Sequence, residues 1–289
     1  MATSPNPAAA PSAEPVRIPA TDGFPIPATL FTPTGGMPER VVLIAPATGV
    51  RRRLYDAFAR SLAARGMAVV TWDWRGTGES RPERMRGFEA SMSDWARRDL
   101  PGVIDWAGAR FPDARLFAAG HSFGGQGIGL APNAERLRGV VLIAAQSGWW
   151  GHWPRGQRWK YALLWHAVMP PMTRALGYFP FRRLGMGEDL PKGVALEWAR
   201  WCRSPEYLGD WSGHARIRAP LLAIGFSDDP FAPRDAVAAL VDRYGSAEKE
   251  HRHVRPADAG AAGIGHFGFF RAGVTPGLWA DVADWLQAR

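Results

Sequence analysis

Arg115-Leu116-Phe117-Ala118-Ala119-Gly120-His121-Ser122-Phe123-Gly124-Gly125 is the stretch on which the fold turns. A short apolar run, Arg115 to Ala119, ends at a glycine, and Ser122 stands between glycines two positions before and two after it. A backbone that leaves a buried strand and enters a helix within so few residues must turn very sharply. Glycines at 120 and 124 leave room for that turn, which lifts the Ser122 hydroxyl out at the strand end. Gly125 adds a small residue where helix and sheet pack. The pattern predicts strand, sharp turn and helix, with Ser122 as a nucleophile.

Outward from this unit the same alternation repeats. Upstream lie the apolar run Val41 to Pro46, a helical pattern from Leu54 to Ala64, and the run Met67 to Trp72. The loop Asp73 to Gly87 precedes a second helical pattern, capped at Ser91 or Ser93 and ending before Phe111-Pro112. Downstream come Val140 to Ala145, Pro220 to Gly225, a helix from Asp235 to Tyr244, a weaker strand Glu250 to Val254 and a last helix from Thr275 to Ala288. Short apolar runs alternating with helices are what a parallel sheet covered on both faces demands, so the fold class is α/β. Val16 to Pro33 reads as two strands around a turn at Thr21-Asp22-Gly23, with Pro25 and Pro27 demoting the second strand to the sheet edge.

After Ala145 the alternation lapses. The chain divides into a disordered tail at 1–15, an α/β core at 16–145 and 212–289, and an inserted cap at 146–211. The insertion holds eight of the fourteen tryptophans, more than a small core of its own needs, and predicts a lid whose inner face lines an apolar pocket. Trp149, Trp150 and Trp153 are its candidate wall.

A serine hydroxyl is weak at neutral pH and needs a base, which in turn needs an acid to fix its tautomer. Leu221 to Pro230 places Asp228 and Asp229 at the end of a buried strand, the side where open α/β sheets assemble their sites. Gly263-Ile264-Gly265-His266-Phe267-Gly268 puts a histidine in a glycine loop after the last strand. The order Ser, Asp, His is that of the sharp-turn hydrolases. His121 reads as a packing residue of the turn, because the base must reach Ser122 from across the sheet end. The remaining histidines lack the glycine-loop setting. No Cys/His cluster has metal-ligand spacing, so the sequence asks for no metal and no cofactor.

Together these motifs resemble the α/β-hydrolase superfamily in its serine-nucleophile branch, from about Val41 to the C-terminus. Within that branch the chain looks most like the poorly characterised bacterial serine aminopeptidase-like and esterase-like hydrolases. Trp72 to Ser80 is similar to the Asp-x-Arg-Gly-x-Gly-x-Ser segment of many members. Asp228-Asp229-Pro230-Phe231 with Pro233 is similar to their acid loop, which sets Asp229 in the acid position and leaves Asp228 as the alternative. The resemblance implies that Ser122 attacks an acyl carbon, that His266 is general base and then acid, and that Asp229 orients it. It also implies an oxyanion hole of backbone N–H groups, from Phe123 and from Ala47 or Thr48. Here the chain departs from the pattern, reading Pro46-Ala47-Thr48-Gly49 where many members have His-Gly, so the register of the second donor stays open. The implied reaction is hydrolysis of an ester, thioester or amide of a small-molecule acyl substrate, with carboxylesterase first. Acyl transfer, peracid formation and ligand binding without catalysis are the alternatives.

Composition narrows the class further. A formal charge of +8 raises nucleic acid as a partner, but the arginines are scattered and form no dense block, so none is expected. Cys202 is the single cysteine, which excludes an internal disulfide, so nothing requires an oxidising compartment. Residues 1–15 carry no Lys or Arg, unlike a basic signal start, and no run of apolar residues is long enough for a membrane span. The expectation is a cytoplasmic protein; composition gives no oligomeric state.

Overall fold

A computed structural model describes residues 10–245 and 247–289. Eight strands form one sheet: β1 (Ser12–Pro19), β2 (Pro25–Thr32), β3 (Arg40–Ala45), β4 (Ala68–Trp72), β5 (Arg115–His121), β6 (Leu137–Ile143), β9 (Leu221–Phe226) and β10 (Lys249–Val254). Between β6 and β9 a two-stranded ribbon, β7 (Tyr178–Phe179) with β8 (Leu190–Pro191), belongs to the insertion. The spatial order is β1-β2-β4-β3-β5-β6-β9-β10, antiparallel through β1, β2 and β4 and parallel from β4 onward. The fold class is α/β, as the alternation predicts. Strands β4 and β9 bury every residue, which is why their sequences are nearly continuous apolar runs, broken in β4 only by Thr71, rather than alternating ones.

Helices α1 (Asp56–Ala63), α3 (Leu100–Arg110), α4 (Phe123–Gly127), α9 (Arg234–Val241) and α10 (Pro276–Gln287) pack on the sheet, and α8 (Ser212–Arg216) leads back into β9. The short turn α2 (Met92–Asp94) runs into α3 through a widened stretch, Trp95–Asp99. Its start carries a reciprocal cap: Asp94 N–H donates to Ser91 Oγ (3.0 Å) and Ser91 N–H to Asp94 Oδ2 (2.8 Å). The insertion supplies α5 (Arg155–Leu163), α6 (Met169–Leu176) and α7 (Lys192–Cys202).

Two expectations change. Ser12 to Pro15 lie in β1 rather than in a tail, since they pair with Thr29 to Thr32 of β2; residues 1–9 lie outside the described residues. The edge strand is β1, not β2. Both prolines of β2 precede Ala28, where the ladder to β4 begins, so neither has to give an N–H to β4.

Two buried acids organise the loops after β4. Asp73 accepts N–H groups from Arg52 (2.8 Å) and Glu79 (3.1 Å) and pairs with the Arg52 guanidinium. A Cβ at Gly78 would overlap that carboxylate. Arg75 bridges Asp99 (Nε to Oδ1, 2.7 Å) and Asp22 (Nη1 to Oδ2, 2.7 Å), tying the hairpin turn to the long helix. Burial pushes the Asp99 carboxyl up to about 6 even with the guanidinium beside it. Hydrogen bonding to Arg75 holds Asp22 well below the usual carboxylate range.

Candidate active site

Strands β3 and β5 are neighbours, with Ala45 opposite Gly120, yet the sheet grows from β3 toward β4 on one side and toward β5 on the other. Such a reversal opens a crevice at the strands' carboxyl ends, and the residues after β3 and β5 meet there. Ser122 sits at φ 50°, ψ −118°, a region that side-chain-bearing residues avoid at a cost of about 1–3 kcal/mol. Its N–H donates to the Ile143 carbonyl (3.1 Å), and its own carbonyl accepts Gly125 N–H (3.0 Å), so the turn is locked on both sides. A Cβ at Gly124 would overlap the Ala45 carbonyl, and one at Gly120 would overlap Gly125. The glycines are needed for close approach of backbone to backbone.

Asp229, one turn beyond β9, is buried. Its Oδ1 accepts N–H groups from Phe231 (2.8 Å) and Ala232 (3.1 Å), and its Oδ2 takes Nδ1 of His266 at 2.7 Å. Asp228 faces elsewhere: its Oδ2 accepts Ile264 N–H (2.8 Å) and so braces the glycine loop that carries His266. With Nδ1–H given to Asp229, Nε2 is the imidazole nitrogen left to accept a proton. Ser122 and His266 line one cavity.

Beneath this pair runs a buried chain that sequence reading missed. Ala47 N–H donates to Tyr55 Oη (2.9 Å), the Tyr55 hydroxyl meets His121 Nδ1 (2.9 Å), and His121 Nε2 meets the His266 carbonyl (2.9 Å). Only one proton assignment satisfies every link: Tyr55 O–H donates to Nδ1 and Nε2–H donates to the carbonyl. Burial holds His121 well below the usual histidine range and keeps it neutral. His121 therefore packs in the turn, as expected, and also holds the backbone of His266. The pattern around Tyr55 is simply helical and gave no signal of this.

The same chain corrects one expectation. Ala47 faces the cavity, but its N–H is spent on Tyr55 and is not free for an oxyanion. Thr48, the other candidate, lines the cavity, and neither its N–H nor that of Phe123 is bonded to another described residue.

The cavity measures ≈ 240 Å³ and is walled by rings: Trp153, Trp165, Trp198, Phe181, Phe231 and Phe267. Gln146 adds an amide, fixed by Gln126 (3.3 Å) and the Phe231 carbonyl (3.1 Å). Of the three tryptophans expected in this wall, Trp153 lines it and Trp149 and Trp150 do not. Those two sit on the turn Trp150–His152, where Trp149 packs on His152 (5.1 Å) and on Trp150 (6.3 Å). Trp165 and Trp198, 4.8 Å apart, take their place.

The cap is fastened by a few polar contacts. Trp153 Nε1 and Tyr161 Oη both donate to the Pro230 carbonyl at 2.8 Å. Arg51 pairs with Glu188 (2.8 Å), Arg81 with Asp189 (2.9 Å), and Glu197 accepts from Ser93 (2.8 Å). Among the described residues no group of three or more His, Cys, Asp or Glu is placed to hold a metal ion, and no helix is long and apolar enough to cross a membrane.

Residues 36–177 match the family model described as serine aminopeptidase, S33. A monoglyceride lipase of Mus musculus is 32% identical over 114 residues, which make up 38% of this chain and 36% of that protein. The shared segment thus spans about a third of the mouse enzyme's length. Among solved structures, a soluble variant of monoglyceride lipase from Saccharomyces cerevisiae superposes with a TM-score of 0.72 over 99% of both chains at 15% identity. A thermophilic esterase from Thermogutta terrifontis gives 0.60 over 95% of this chain and 98% of that one at 18% identity. At these identities the structural likeness is one of fold.

Proposed function

Because the chain belongs to the α/β-hydrolase superfamily, we propose that it is a serine hydrolase that cleaves carboxylic esters through an acyl-enzyme on Ser122. The observation that carries the reading is the buried Asp229–His266 pair, 2.7 Å apart, at the cavity that the strained Ser122 also lines.

In this mechanism Ser122 Oγ attacks the acyl carbon while Nε2 of His266 takes its proton. The negative oxygen that develops is held by the N–H groups of Phe123 and Thr48. The ester C–O bond breaks, and His266 returns the proton to the departing alcohol. Water, deprotonated by the same nitrogen, then frees the acid. Asp229 keeps the imidazole in the tautomer that both steps need.

An ester with a short or medium acyl chain suits the cavity better than a peptide. Its wall is nearly all rings and aliphatic groups, and none of the residues lining it is an Asp or Glu that would hold the free α-amino group of a peptide.

Fluorophosphonate labelling of wild type against S122A, at matched folding, tests the nucleophile. We expect labelling of wild type alone, and turnover of p-nitrophenyl esters by the same protein. A wild type that takes no label, or one inert to esters while active on amides or acyl-thioesters, would overturn the reading.

A further inference from the structure

The cap carries an exposed surface that is both apolar and cationic. Six large hydrophobic side chains are exposed among the described residues, and five of them lie on the cap or on the acid loop beside it: Trp159 (61%), Leu163 (50%), Leu184 (48%), Met186 (41%) and Phe231 (40%). Met186 and Phe231 also line the cavity, so the cavity reaches the surface between them. Trp159 and Leu163 are four residues apart on α5, one above the other on a helix that buries none of its residues. Single exposed apolar residues are ordinary on any surface, but a pair stacked on one solvated helix, with two more where a ring-lined cavity reaches the surface, is a contact face.

Charge says what it contacts. From Trp149 to Gly187 the chain holds six cations, Arg155, Arg158, Lys160, Arg174, Arg182 and Arg183, and no Asp or Glu in 39 residues. The first carboxylates after it, Glu188 and Asp189, are turned inward against Arg51 and Arg81. Tryptophan beside Lys and Arg on a surface helix, with leucines to insert, is the composition of helices that lie in a lipid–water interface.

We propose that this face docks the protein on an anionic lipid bilayer, with α5 and the Leu184–Met186 loop set into the headgroup layer and the cavity mouth turned toward the lipid. The proposal rests on the cavity being the ester site, and it narrows the substrate to an ester that partitions into membranes. The acyl chain then passes from bilayer to ring-lined wall without crossing water.

Flotation of S122A, which cannot consume lipid, with vesicles of phosphatidylcholine alone and of phosphatidylcholine with phosphatidylglycerol tests it. We expect binding to the mixed vesicles and its loss as salt rises. Each interfacial cation contributes about fivefold to partition, so K160A/R183A is expected to bind about 25-fold more weakly at low salt. W159A/L163A is expected to lose about tenfold or more. Both pairs are exposed, so their melting should match that of the parent. In the Ser122-containing protein, W159A/L163A should keep its rate on a water-soluble ester and lose rate on the same ester presented in vesicles. Absence of binding to the mixed vesicles would overturn the proposal, as would W159A/L163A binding like its parent. So would sedimentation showing that W159A/L163A turns a dimer into a monomer, since the face would then join two copies of the chain. A failed fluorophosphonate label would strike the ester reading and leave flotation intact, so the two failures stay distinct.

Discussion

On the sheet side of the cavity the side chains that set Ser122 and His266 in place are held by hydrogen bonds, and the N–H groups of Phe123 and Thr48 are left open among the described residues. Asp229 accepts three hydrogen bonds, and Ala47, Tyr55, His121 and His266 form an unbroken chain. On the cap side the indole N–H groups of Trp150 and Trp165 are buried with no partner among the described residues, and α5 buries nothing. The sheet side fixes individual atoms, because proton transfer fails when a donor is misplaced by an ångström. The cap supplies shape and apolar surface, for which one ring serves nearly as well as another. Substitutions on the two sides should therefore differ in kind.

The largest effect is expected at the acid loop. Asp229→Asn, which leaves the geometry but offers His266 the wrong tautomer, should lower kcat/KM on a p-nitrophenyl ester by about 10⁴-fold. Asp228→Asn should cost less than about tenfold, since an amide oxygen still accepts Ile264 N–H. Equal losses would dissolve the distinction between the two carboxylates. Next comes Gly124→Ala, whose Cβ would press on the Ala45 carbonyl. Denaturant unfolding should show about 1–3 kcal/mol lost or more, and a variant that unfolds with wild type would show that the elbow can relax.

Acid should also weaken the sheet side. His214 is buried beside the Gln126 carbonyl (2.8 Å), and burial lowers it to about 4 from 6.5. The unfolded chain takes up that proton near 6.5 and the folded one only near 4. The stability it contributes is thus complete above 6.5 and is lost as pH falls toward 4, by roughly 3 kcal/mol. His121 acts in the same direction. Thermal melts across that range should show the decline, and His214→Gln should make it shallower; an unchanged slope would remove His214 from the account. The smallest effect belongs to the cap. Gly156 lies in α5 with open space where a Cβ would go, so Gly156→Ala should stabilise by about 0.5–1 kcal/mol. A loss instead would mean that α5 has no such room.

The same division decides what could be read in the amino-acid sequence. The spacing Gly120, Ser122, Gly124 is legible because a sharp turn constrains residues adjacent in the chain. His266 and the Asp228-Asp229 pair stand out because each follows a strand and so must lie at the sheet's carboxyl end. Which aspartate faces His266 is set by the tight turn from Phe226 to Ala232, where one residue of register swaps the two side chains. Whether the Ala47 N–H is free depends on a hydroxyl eight residues further on, and no local pattern records that contact. In the cap, sequence gives the supply of tryptophans but not the phase of the helices that carry them. Trp149 and Trp150 therefore looked as suitable for the wall as Trp165 and Trp198.

The carbonyl of Pro230 accepts both Trp153 and Tyr161, and it belongs to the residue next to Asp229. Anyone grafting a foreign lid onto this scaffold thus has a natural splice point. A chimera joined after Tyr161 inherits the clamp on the acid loop, whereas one joined at Gln146 must rebuild it before changing anything about selectivity.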